Sequence, residues 1–483
     1  MAQLSADCLN DILEYLEDDM INLHSCLLVN RLWCNVSVRI FWKNVWNYKT
    51  SNFRTLISCL PKESKENLCK NRITVLNPNS KSPMFNYASF CKFLSIRQVR
   101  NKLESLLRKY IKPFYTFRIP NDVTKLTQEI IKLFFVQISS LKKLELCESP
   151  DKINFYPGTK VGLKNISKLY CISNISSEIF YLLSQTCHNI SSLEIKFGQF
   201  ISEGLIDLIS VQKNLQSFGM MQLSELAVLT PLIEKIPNTL IKLNIHKYNF
   251  ISLLFIARFT NLQEINLHFY CKEDFIDFEK LQYAIFPNLQ ILKIQAACPK
   301  FDLLIRFLEN NGNNLKECYI GDEMGHSDNS LNLAIAKFCP NLKKLSTGFK
   351  NNELETMKIV FNSCQYLESI NIWCGGKFLS EKEALESIVK YSHENFYEII
   401  WSYQYYHVQL KLLPEELESF FISWMDRVPQ KSLYLVTIKN NAYSLDASDE
   451  NMEIINKYIK LNVIKKFKVI DFNDNEFNWC KRM

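Results

Sequence analysis

The residues with the greatest capacity for chemistry in this chain are its 16 cysteines and 7 histidines. Together they could build a tetrahedral zinc site, which needs thiolates and imidazoles at close, regular spacing. No Cys-x-x-Cys occurs, and His246 and His268 have no carboxylate or thiol at ligand spacing. Catalytic signatures are missing too: there is no phosphate-binding glycine loop, no Gly-x-Ser-x-Gly elbow and no His-Glu-x-x-His. Gly375-Gly376 is isolated and reads as a turn. The sequence therefore predicts no metal, no cofactor and no catalysis. The N-terminal stretch carries Asp7, Asp11 and Glu14 among apolar residues at helical spacing, the wrong make-up for a secretory leader. The thiols are then expected to be reduced and buried, acting as small hydrophobes in a cytoplasmic or nuclear protein. On that reading the Asn-x-Ser triplets at Asn35, Asn165, Asn174 and Asn189 are chance matches.

The elements that must carry these residues follow from composition and period. With 483 residues, the chain is too long for one ordinary core, so it is several domains or an elongated array. A hydrophobic fraction of 47% with only 11 glycines and 14 prolines implies order nearly throughout. The net charge of +7 is a mixture of 57 basic and 50 acidic residues, not the concentrated stripe of a nucleic-acid binder. The densest basic stretches, Lys62–Arg72 and Lys457–Lys468, are interrupted by acids or apolar residues and read as solvated faces. No apolar run is long enough to span a bilayer, so neither a nucleic acid nor a membrane is expected as partner.

From about residue 139 a pattern of apolar, two residues, apolar, one residue, apolar recurs at about 25 residues, inside the range of leucine-rich repeats. Clear copies begin at Leu141, Ile190, Leu240, Leu262, Leu289 and Leu367, weaker ones at Ile166, Leu215, Leu315, Leu342, Phe396, Leu417 and Leu433. The alternation at Leu243-Ile245 or Ile370-Ile372 fits a strand with one buried face. Helical stretches such as Leu331–Phe338 precede the copies and end in short punctuation, as at Cys339-Pro340-Asn341. A repeat of helix, turn and strand cannot bury its apolar face alone, and stacking supplies the core. The expected fold is α/β: a curved parallel sheet inside and helices outside, over 139–483, with degenerate C-terminal repeats and a cap. Alternate strand residues would then line the concave face: Lys242, Asn244, His246, Glu264, Asn266, His268, Gln295, Tyr319 and Trp373. Aromatic anchors mixed with hydrogen-bonding groups suit a protein substrate.

Residues 1–48 read as a three-helix module and 49–138 as a helical linker. Ser5 is a plausible N-cap, followed by Leu9, Ile12, Leu13 and Leu16 on one helical stripe. Phe53–Leu60, Tyr87–Leu94, Val99–Ile111 and a helix capped by Asn121 or Asp122 fill the linker.

The first stretch resembles the F-box, the helical motif that docks substrate receptors onto the Skp1 subunit of cullin-RING ubiquitin ligases. The resemblance is carried by Leu4, Leu9, Ile12, Leu13 and Leu16, by Leu28-Val29-x-x-x-Trp33, and by the closing pair Phe41-Trp42. Ser5 stands where the family usually has proline, and Asn30 where it often has cysteine. The punctuation is similar to the cysteine-containing repeats of F-box leucine-rich-repeat proteins. This resemblance implies a non-catalytic subunit that binds a Skp1-like adaptor, and through it a cullin-RING ligase, using Leu4, Leu9, Ile12, Leu16, Leu28, Val29 and Trp33. It implies a substrate protein held by the repeats. A repeat scaffold or inhibitor acting independently of ubiquitination, with the helices as a simple cap, is the alternative.

Overall fold

A computed structural model describes residues 4–71, 73, 83–109, 119–146, 159–222, 229–246, 252–321, 328–403, 412–428, 431–439 and 444–471. The ends of the expected basic run at Arg72 and of the expected helix at Ile111 lie outside these. The chain forms two compact units, Met1–Pro237 and Asn238–Met483.

The first unit opens with α1 (Ala6–Glu14), α2 (Met20–Cys26) and α3 (Arg31–Phe41). Each starts where a side chain satisfies a first-turn N–H: Ser5 Oγ accepts from Cys8, Asp19 from Asn22 and Asn30 from Trp33. Leu9, Leu13, Leu23, Val36 and Ile40 form the module's buried core, with Leu16, Met20, Leu32 and Trp33 packed against it. Then come α4 (Thr50–Ser58), α5 (Lys62–Lys70), β1 (Phe93–Ser95), α6 (Ile96–Arg108) and α7 (Ile119–Gln137). Two expectations change here. The linker is not purely helical, because β1 is a strand too short to show a period. The helix expected to be capped by Asn121 or Asp122 already begins at Ile119. The repeats continue as β2 (Lys143–Leu146), α8 (Thr159–Leu163), β3 (Lys168–Ile172), α9 (Ser177–Thr186), β4 (Ser192–Phe197), α10 (Glu203–Ser210), β5 (Ser217–Gln222) and α11 (Thr230–Lys235). Strands β1 to β5 pair in chain order, all parallel.

The second unit contains β6 (Lys242–His246), β7 (Glu264–Phe269), α12 (Phe278–Leu281), β8 (Ile291–Ala296), α13 (Phe301–Asn311), β9 (Glu317–Gly321), α14 (Asn329–Phe338), β10 (Lys344–Gly348) and α15 (Leu354–Ser363). It ends with β11 (Ser369–Cys374), α16 (Glu381–Tyr391), β12 (Glu398–Tyr403), α17 (Pro414–Met425), β13 (Leu433–Lys439), α18 (Asp449–Lys460) and β14 (Ile464–Asp471). Strands β6 to β14 also pair in chain order and in parallel. This is the stacked α/β solenoid expected from the repeat. The weak copy at Leu417 is a correction: it lies in α17, where Pro414 fits the first turn and Leu417, Phe420, Phe421 and Trp424 form a buried helical stripe.

The repeats are tied by their turns. The side-chain amides of Asn261, Asn314 and Asn341 donate to the carbonyls of Asn238, Pro287 and Asn313 in the preceding turn, at 3.2, 2.8 and 2.8 Å. The Cys187 thiol donates to Leu163 O at 3.2 Å and the Cys364 thiol to Cys339 O at 3.5 Å. Burial pushes both thiols up to about 12, so they remain protonated and unreactive.

One buried carboxyl closes the C-terminal repeats. Glu381 accepts from Tyr403 OH at 2.5 Å and from the Leu412 N–H at 3.2 Å, while the Tyr403 hydroxyl accepts from the Leu445 N–H at 3.2 Å. Burial raises the Glu381 carboxyl from 4.5 to about 7, with the Tyr403 and Leu412 hydrogen bonds opposing the rise. A carboxyl raised in the fold contributes stability that is complete below pH 4.5 and lost as pH rises through about 7. The urea midpoint should therefore fall across that window, and Glu381→Gln should flatten the fall. An unchanged slope in the variant would assign it to other groups.

Candidate protein-interaction surfaces

The N-terminal module divides its apolar residues between two tasks. Leu9 is fully buried at the centre of its core, and Leu16 and Trp33 are half-buried against that core. Leu4, Ile12, Leu28 and Val29 instead reach solvent, with Ile12 50% and Leu28 77% exposed. Tyr15 and Ile21, which carry none of the sequence resemblance, are also exposed. Their exposure on short helices could not be read from spacing, because a stripe does not say which of its edges the module covers. Six exposed large apolar side chains among the described residues of 4–29 are a concentration that a small free-standing cap has no need of.

The module is fastened to the first strand of the sheet. Lys43 O accepts from the N–H groups of Lys92 and Phe93, at 2.8 and 3.0 Å, and Asn44 bridges in parallel to Phe93. The Lys43 ammonium reaches Glu17 at 2.6 Å, and the buried Tyr48 hydroxyl donates to Trp42 O at 2.6 Å. Trp42 also stacks obliquely on Tyr87, with ring centroids 4.7 Å apart.

In the second unit all nine expected substrate-face residues sit on strands, between inward residues such as Leu243, Ile245, Ile265 and Leu267. The register brings them into rows. Lys242 pairs with Glu264 at 2.8 Å. Asn244 lies beside Asn266, and His246 stacks on His268 with ring centroids 4.2 Å apart and planes 18° from parallel. His268 Nδ1 is 3.3 Å from Gln295 Oε1, and Tyr270 packs T-shaped against both imidazoles. Lys293, which spacing alone did not single out, lies over the Tyr319 ring at 4.9 Å in the same row as the two asparagines. Burial holds the Lys293 ammonium below its usual value, and burial with the Glu317 charge raises the Tyr319 hydroxyl. Trp373 stands apart, four strands along from His268 in the sheet.

These side chains pack on one another, so the face is drier than a hydrated strip. Asn244 is 3% exposed, and among the described residues neither polar atom of its carboxamide meets a hydrogen-bond partner; Asn266 Oδ1 is likewise unpartnered there. A buried amide without partners costs roughly 1–3 kcal/mol. It offers two N–H donors and an acceptor oxygen, enough to pair with a complementary amide.

The fold defines a leucine-repeat solenoid headed by a helical module. No family model matches the chain, and no curated protein matches it. Among solved structures, it is similar to the leucine-rich-repeat-containing protein LegL7 from Legionella pneumophila: 11% identity, 68% of this chain and 93% of that one covered, TM-score 0.34. It is also similar to the Rad7 and Elc1 complex of yeast: 13% identity, 90% of this chain and 87% of that one, TM-score 0.36. The solenoid assignment rests on the strand pairing itself. No described helix is long and apolar enough to cross a membrane.

If the Asn244 amide is kept for binding, removing it should not harm the fold. Asn244→Leu is expected to leave thermal stability unchanged or to raise it, by about 1 kcal/mol. A loss of more than about 1 kcal/mol by chemical denaturation would show that the amide supports the fold itself.

Proposed function

We propose that this chain is the substrate-recognition subunit of a Skp1–cullin–F-box ubiquitin ligase. The N-terminal helices bind the Skp1-like adaptor, the face of β6 to β9 holds a target protein, and ubiquitin transfer is performed by other subunits. The observation that carries the reading is the exposure of Leu4, Ile12, Leu28 and Val29, four of the residues on which the F-box resemblance rests. Their burial in a partner's groove would supply the few apolar anchors that dominate such interfaces. The Lys43 linkage to β1 seats the docking module directly on the first strand of its own unit, so the module and the repeats of that unit share a frame. Leu9 acts from beneath: it holds the helices that display the anchors.

The test is co-purification with Skp1. Ile12→Ser and Leu28→Ser change exposed positions and should leave circular dichroism unchanged, while each truncated anchor weakens binding by about 2 kcal/mol. Leu9→Ala should destabilise the module by about 2–5 kcal/mol and lose binding through unfolding. Failure of the intact chain to bind Skp1, or full binding by the double Ile12→Ser/Leu28→Ser variant, would leave a repeat scaffold working without a ligase.

A further inference from the structure

Strand-entry lysines recur in both units, and most of those in the second unit meet a carboxylate, Lys316, bonded to Gln290 Oε1, being the exception. In the second unit Lys242 meets Glu264 at 2.8 Å, Lys343 meets Glu368 at 2.8 Å and Lys344 meets Glu317 at 3.5 Å. Each carboxylate comes from an adjacent strand or its entry. The equivalent positions at the start of the first unit are Lys142, Lys143 and Lys168, with Lys143 and Lys168 in register on neighbouring strands. None of these three lies within ion-pair distance of a carboxylate among the described residues.

They surround a cavity of about 300 Å³, at the small end of ligand-binding clefts. Asn44, Trp46, Glu145, Ser167 and Tyr170 complete most of its wall. Glu145 is the single acid there, against three lysines. Trp46 is 44% exposed, and the Lys143 ammonium sits 4.6 Å from the centre of the Tyr170 ring. On the preceding strand entry, burial and the charge of Lys142 hold the Lys92 ammonium below its usual value. Like charges are thus crowded around an open space, whereas the same fold elsewhere in the chain supplies counter-charges.

We infer that this cavity binds a phosphate monoester through Lys142, Lys143 and Lys168, with Trp46 and Tyr170 contacting the group that carries it. A phosphate offers about −1.5 to −2 charge and three acceptor oxygens, enough for several ammonium donors at once, where one carboxylate would leave lysines unmatched. The phosphate is borne by a side chain of a protein partner or by a small molecule. Neither source depends on the ligase reading, and the assay uses the isolated full-length chain without any adaptor.

Titration calorimetry with inorganic phosphate, pyrophosphate, a phosphoserine hexapeptide and its unphosphorylated twin tests the inference. Saturable binding of at least one phosphorylated probe is expected, with none for the twin. Lys142→Gln/Lys143→Gln/Lys168→Gln should weaken it at least about tenfold, while the control Lys343→Gln/Lys344→Gln, on the second unit, should bind as the unaltered chain does. Circular dichroism checks folding, and Lys142→Gln alone, expected to weaken binding about threefold or more, replaces the triple variant if that does not fold. A hexapeptide binding tighter than both inorganic probes points to a protein-borne phosphate, the reverse order to a small molecule. No saturable binding by any phosphorylated probe, equal binding by the lysine variants, or equal loss in the control overturns the site.

Discussion

One contact recurs through most of the molecule and much else hangs from it: at the entry of most strands up to β12 a backbone carbonyl accepts two consecutive N–H groups from the next repeat. At β13, by contrast, Tyr397 O receives the Tyr434 N–H and the Leu433 N–H turns to Val463 O. Lys92 O receives Lys142 and Lys143, Lys142 O receives Ser167 and Lys168, and Ser167 O receives Ser191 and Ser192. In the second unit Gln263 O receives Gln290 and Ile291, and Lys343 O receives Glu368 and Ser369. The shared acceptor fixes where each strand begins relative to its neighbour. A one-residue slip would turn every inward leucine outward, so this carbonyl protects the core as much as the leucines do. It also decides which side chains become neighbours on the opposite face, and hence the Lys–Glu, Asn–Asn and His–His rows.

The repeat was legible because its period is chemical: leucines at two fixed offsets and a small turn before them. The helical caps were legible for the same local reason, since Ser5 and Asn30 cap through bonds to residues three positions on. What escaped was non-local. β1 is three residues long and owes its existence to Lys43 on one side and β2 on the other. Leu417 imitated a strand because the apolar spacing that starts a repeat also fits one face of a helix, and only Pro414 and the adjoining acids distinguish the two.

The candidate surfaces were legible as positions but not as environments. Spacing placed Asn244, His246, Asn266 and His268 on one face, yet gave no sign that they would pack against one another and leave an amide unsatisfied. The module's stripe likewise predicted an apolar face without saying that Leu9 would go inward and Ile12 outward. Charge behaved in the same way. Lysines at strand entries look alike in sequence, and only the register shows that Lys242, Lys343 and Lys344 face glutamates.

The Lys43 carbonyl, taking Lys92 and Phe93 as the later entry carbonyls take their successors, makes the helical module the zeroth member of the series. The module is thus indexed to the stack rather than tethered to it. Insertion or loss of one repeat within a unit would move the later strands of that unit by one strand spacing, about 4.8 Å, and leave their own seating untouched. Variation in repeat number would then act as a ruler graduated in strand widths, lengthening the arm without redesigning the handle.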